Sequence, residues 1–175
     1  AAHSFYENEL LFFLYHAALA AATADTWATE IGSLSKQQPY LITNGKAVPA
    51  GTSGAVTNLG LFSSFAGAFV IALSGIIYQP SMVNQSFELF LFVVAAGFLA
   101  SLFDSLLGAT VQLKYISPKS GKVTEAEFQD GERTEYLSGW KWLNNNAVNF
   151  LCTVSAIFFY MLFLLLTFIQ VLLSI

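Results

Sequence analysis

Apolar residues in this chain gather into four long runs, at about residues 9–24, 59–78, 87–107 and 147–175. Each is long enough, or nearly so, to cross about 30 Å of hydrocarbon as a helix. The first, whose start could lie as early as Phe5, is alanine-rich towards its end, which lets neighbouring helices approach closely. The second carries Gly60, Ser64 and Gly67 or Ala68 at helical spacing, a packing stripe. Residues 158–173 are apolar almost all round, as a lipid-exposed helix can be. Between the runs, residues 25–58 hold Pro39, Pro49 and several glycines, so they predict a loop with room for short helices. The 79–86 connection is short, and residues 114–146 hold most of the remaining charge as a soluble or interfacial segment. The pattern predicts an all-α, polytopic membrane protein: a single membrane domain over 1–175, four transmembrane helices, and two polar loops (about 25–58 and 114–146) on one face.

Charge placement orients that picture. All seven Lys and Arg lie in the two long loops: Lys36 and Lys46 in the first, Lys114, Lys119, Lys122, Arg133 and Lys141 in the other. With four spans these loops share a side, which the positive-inside rule makes cytoplasmic, or stromal or matrix in an organelle. Only 10% of residues are charged and 55% are hydrophobic, where soluble domains carry about 25% charged. The expected surroundings are membrane lipids. A net charge of −4 argues against nucleic acid, which needs a basic patch. Cys152, the single cysteine, excludes an intrachain disulfide and reads as a small lipid- or core-facing residue. His3 and His16 lack metal-ligand spacing and read as packing or interfacial residues. There is no initiator Met and no basic leader, so a processed chain, or part of something longer, is expected.

Candidate chemistry sits where the apolar runs meet the basic face. Asp25 and Glu30 are five residues apart, roughly 140° around a continuous helix, so they form one site only if the helix ends between them. They read either as hard oxygen ligands for Mg²⁺ facing a phosphate or as an interfacial helix end anchored by Trp27. Lys46 with Gly51-Thr52-Ser53-Gly54 could wrap a phosphate, or form an ordinary loop. Asp104, flanked at helical spacing by Ser101, Ser105 and Gly108, belongs to a narrow polar face that should point into the bundle, because a lipid-facing carboxylate costs several kcal/mol. Asn144, Asn145, Asn146 and Asn149 open the last run. One of them suffices as an N-cap, and the others are available for phosphate or sugar hydrogen bonds.

Five motifs in order resemble the integral-membrane phytyl-phosphate kinase family, which also includes an animal multispan protein. They are Ala24-Asp25-Thr26-Trp27-Ala28-Thr29-Glu30-Ile31-Gly32, Pro39-Tyr40-Leu41-Ile42-Thr43, Val48-Pro49-Ala50-Gly51-Thr52-Ser53-Gly54, Asp104-Ser105-Leu106-Leu107-Gly108-Ala109-Thr110-Val111-Gln112 and Asn145-Asn146-Ala147-Val148-Asn149. The resemblance implies phosphate transfer from a nucleoside triphosphate to a prenyl monophosphate, with the prenyl chain between apolar helices. It makes Asp25, Glu30 and Asp104 catalytic candidates, with Asp25 and Asp104 as Mg²⁺ ligands. Lys46, Gly51, Thr52, Ser53, Gly54, Asn145, Asn146 and Asn149 would contact phosphate.

The chain departs from that family where Asn144 replaces an aspartate, where Ala55 interrupts a glycine pair, and in matching only the second half of the family domain. Those departures favour a non-catalytic accessory subunit among other membrane proteins in an organellar membrane, mitochondrial or plastid, with an endomembrane as the other location. The alternative is half of an active isoprenoid-phosphate kinase. Whether the chain is an enzyme stays open at this point.

Overall fold

The computed structural model describes residues 9–78, 87–129 and 131–174; Phe5, His3 and the 79–86 connection lie outside them. Among the described residues four helices dominate: α1 (Glu9–Gly32), α2 (Asn58–Tyr78), α3 (Phe87–Thr110) and α4 (Asn145–Leu173). By length and composition, α2, α3 and α4 are able to cross a membrane. Helix α1 is the most polar of the four because it carries Glu9, Asp25 and Glu30 among alanines and threonines.

That same helix is the centre of the bundle, touching each of the other three. Ala17, Ala20, Ala21 and Ala24 are fully buried along it. Small residues answer them on the neighbours: a Cβ added to Gly97 of α3 would lie 2.7 Å from the Ala20 methyl. Without a hydrophobic drive between helices in lipid, such close approach gains dispersion contacts that bulky side chains would forbid. Larger groups fill the end far from the loops, where Phe12, Phe13, Phe90 and Tyr160 are buried. His16 belongs to this packing: its ring lies against Phe12 and its Nδ1 is 2.8 Å from the Phe12 carbonyl. The outer half of α4 stays exposed, including Phe158, Leu165, Phe168 and Leu172.

The polar segments contain strands instead of short helices. In the first, β1 (Tyr40–Leu41) pairs antiparallel with β2 (Ala55–Val56). In the other, β3 (Lys114–Ile116) lies between β4 (Val123–Thr124) and β7 (Glu135–Ser138), and β5 (Phe128–Gln129) pairs with β6 (Glu132–Arg133). The two segments meet at one end of the bundle, where Ser53 bonds to Glu125 and Gly54 packs on Ala109. Thr57 joins the helices there: its Oγ1 accepts from Gly60 N–H (3.0 Å) and donates to the Gly32 carbonyl (3.4 Å).

Candidate functional site

Where those loops meet the helix ends there is a cavity of about 530 Å³. Every one of the five motifs contributes to its wall: Asp25 and Glu30, Pro39, Gly51 to Gly54, Asp104 with Ser105 and Gln112, and Asn145 with Asn149. The loop residues reach it because Gly51 and Gly54 adopt positive φ (82° and 77°), which turns the backbone inward. At Gly54 a side chain is excluded twice over, since a Cβ would also overlap Ala109. Gln112 is buried, and its Nε2 donates to Asn145 Oδ1 at 3.4 Å, tying the end of α3 to the start of α4.

At the inner end Asp25 and Asp104 converge. One carboxylate oxygen of each and Cys152 Sγ all lie within 4.8 Å of one another. Asp104 thus faces the bundle interior, and its Oδ2 is buried with no hydrogen-bond partner. Ser64 Oγ, on the same cavity wall, is in the same position. Cys152 donates to the Ala100 carbonyl (3.4 Å). It lies seven residues after Asn145 and three after Asn149, so one face of α4 runs from the cavity mouth to the acidic pair.

Helix α1 does not end between Asp25 and Glu30 but continues to Gly32. Glu30 is therefore exposed on the cavity rim and takes no part in the inner cluster. Lys46 and Asn146 are exposed and outside the lining. Asn144 is also outside it: its Oδ1 accepts from Ala147 N–H (3.0 Å) as the α4 N-cap. Glu125, which sequence reasoning passed over within a charged loop, does line the cavity, accepting from Ser53 Oγ at 2.5 Å across 72 residues of sequence. Nothing in the sequence sets it apart from Glu127 or Glu132. Nearby, burial lowers the Lys114 ammonium pKa, an effect opposed by Glu125.

Its described lining residues therefore include four carboxylates and no Lys or Arg. Two ionised carboxylates with oxygens up to 4.8 Å apart would repel by about 3 kcal/mol at an effective dielectric of ~20, a cost that either a bound cation or a shared proton removes. The donors suit the Mg²⁺ that the motifs imply: two hard carboxylates, one with an orphaned oxygen, and a soft thiol that Mg²⁺ would ignore. A separate cavity of about 400 Å³, lined in part by Tyr115, Arg133 and Lys141, lies in the second polar segment.

Residues 1–157 match the family described as integral membrane protein DUF92. The chain belongs to this family. It is the family to which the five motifs pointed. Among its curated relatives, Protein PGR of Arabidopsis thaliana is 35% identical over 138 residues, covering 75% of this chain and 47% of that protein. Uncharacterized membrane protein MJ0933 of Methanocaldococcus jannaschii is 38% identical over 102 residues, 58% of this chain and 41% of the relative. Protein VTE6, chloroplastic, of Arabidopsis thaliana is 34% identical over 130 residues, 72% of this chain and 30% of the relative. The matched stretch thus spans less than half the length of each of these relatives. No solved structure matches the chain.

Proposed function

We propose that the cavity binds a divalent cation together with the phosphate of an isoprenoid monophosphate, and that the chain serves phosphate transfer from a nucleoside triphosphate to that substrate. The observation that carries this is the meeting of all five motifs around Asp25 and Asp104, one of whose oxygens is buried and unpartnered. Asp25 and Asp104 would hold Mg²⁺, which supplies charge neutralisation for the phosphate oxygens. The chain's own groups do the rest. The N-termini of α2 and α4 both border the cavity, through Gly60 and through Asn145 and Asn149, and helix N-termini favour anions. Gly51 to Gly54 bring backbone against the same space without side-chain bulk at either glycine. Phosphate transfer needs this positioning more than covalent help from the protein.

The two residue departures do not disarm the site. Asn144 is a helix cap, a role Asn fills as well as Asp, and Ala55 lies in β2, paired with Leu41. An accessory, non-catalytic role in a larger membrane assembly is supported by a different observation: the absence of Lys and Arg from the described lining. A triphosphate donor brings several negative charges, so cationic groups from elsewhere must complete the site. On this basis the chain binds substrate but does not turn it over alone. In the membrane, α1 to α4 form four spans with both polar loops on the positive face. The chloroplastic relative supports an organellar membrane.

The test combines two assays on the purified chain in lipid nanodiscs. Mn²⁺, a paramagnetic stand-in for Mg²⁺, should bind at one site that Asp25→Asn and Asp104→Asn each abolish. Chain, Mg²⁺, prenyl monophosphate and each nucleoside triphosphate should yield no prenyl diphosphate by mass, with or without Asn144→Asp. Mn²⁺ binding indifferent to both aspartates would sink the cation site, and robust turnover would sink the accessory role.

A further inference from the structure

The cavity is not polar throughout: Leu61 of α2 and Leu102 of α3 form part of its wall beside Ser64, Ser101 and Asp104. Leu61 sits one turn from Phe65 on α2, and Leu102 one turn from Phe98 on α3. Below the leucines, Phe65 meets Phe98 edge-on at 6.0 Å, and Phe69 then meets Phe90 at 5.4 Å. Leu61, Phe65 and Phe69 thus mark an apolar seam between antiparallel helices, about 12 Å long over eight residues. It faces outward as well, since Phe65 and Phe69 are 47% and 40% exposed.

Near the cavity, the junctions of α1 with α2 and α3 are sealed differently; farther down, rings also take part, His16 against Gly75 and, on α4, Phe13 stacked on Tyr160 at 6.1 Å. Helix α1 meets α2 at Gly32 against Gly60 and at Thr23 against Gly67, and meets α3 at Ala20 against Gly97. Backbone on backbone leaves nothing to swing aside there. At the α2–α3 seam the seal is made of ring side chains, which can rotate out of the way, and the seam begins at the cavity wall.

Taking the phosphate-site function above as its premise, we propose that the substrate's isoprenoid chain leaves the cavity sideways between α2 and α3, past Leu61 and Leu102 and along Phe65 and Phe98, into the lipid. An amphiphile then binds without crossing the polar loops: its phosphate faces the carboxylate end and its hydrocarbon stays in hydrocarbon. Phe65 and Phe98 become the residues that discriminate chain shape and length.

The test uses the full chain in nanodiscs with Mg²⁺ and a farnesyl monophosphate analogue bearing a benzophenone at its far end. Adducts mapped by mass should fall on α2 and α3 around Phe65 and Phe98, and unlabelled farnesyl monophosphate should compete while phosphatidic acid should not. Adducts on α1 or α4, or equal competition by phosphatidic acid, overturn the slot. As a second measurement, Leu61→Trp should lower the ratio of farnesyl to methyl phosphate affinity by about tenfold, the scale of a few buried methylenes. An unchanged ratio counts against the slot. Methyl phosphate binding with Mg²⁺ while adducts fall elsewhere sinks the slot alone. No binding of either phosphate by the unaltered chain sinks the phosphate site and the slot together.

Discussion

Replacing Asp104 by asparagine separates the demands of function from those of stability. In the cation-free protein Asp104 and Asp25 present carboxylate oxygens no more than 4.8 Å apart. With both ionised, their mutual repulsion is about 3 kcal/mol at an effective dielectric of ~20. Both side chains are partly exposed, so solvent screening reduces the usable figure to roughly 1–2 kcal/mol. The substituted amide would replace that repulsion with an N–H donor facing Asp25. Asp104→Asn should therefore raise the unfolding temperature in EDTA by a few degrees, since about 1 kcal/mol moves a domain of this size by roughly 2–4 °C. It should also remove the further rise that saturating Mg²⁺ gives the unaltered chain. Scanning calorimetry in one detergent, with EDTA and with Mg²⁺, reads both effects. A variant less stable than the parent in EDTA, yet still stabilised by Mg²⁺, would refute the electrostatic account of the pair.

Other consequences follow from single residues. Gly54→Ala should cost at least about 2 kcal/mol, from its positive φ together with the overlap on Ala109, while Gly45→Ala, at similar φ but in open space, should cost only about 1 kcal/mol; chemical denaturation of the two variants checks the order. Ser53→Ala and Glu125→Ala should each weaken Mg²⁺-dependent phosphate binding and couple by about 1 kcal/mol in a double-mutant cycle, because each removes one partner of the same inter-loop bond; additive effects would mean the bond does not hold the cavity. Cysteines placed at Lys119 and Ser174 should be labelled from opposite sides of a sealed membrane, and labelling from one side would end the four-span topology.

Much of this architecture is visible in the residue pattern, because a membrane allows few solutions to an apolar run. Helices α2, α3 and α4 begin and end within a few residues of the corresponding apolar runs. The end of α1 does not: Asp25-Thr26-Trp27-Ala28-Thr29-Glu30 resembles an interface in sequence, yet its backbone stays helical to Gly32, where Gly60 packs on it and Thr57 bonds its carbonyl. That tertiary clamp has no local signature. The strands of the polar segments are two to four residues long, too short for an alternating pattern to register. The inward direction of Asp104 is readable from the cost of a carboxylate in lipid, whereas its pairing with Asp25 follows only from the motif resemblance. The place of Cys152 beside them was readable only from helical spacing, since it lies two turns after Asn145 on the same face. Lys46 looked like part of a phosphate cradle by proximity in sequence, but the turn through Leu41, Asn44 and Gly45 directs it to solvent.

The central claim is that the acidic cavity takes an anionic lipid only through a cation. Isothermal titration of the purified chain in nanodiscs with phytyl monophosphate tests it directly. Saturable one-site binding should appear with Mg²⁺, vanish in EDTA, and be lost in Asp25→Asn even with Mg²⁺ present. Equal binding in EDTA, or no binding under either condition, would contradict it.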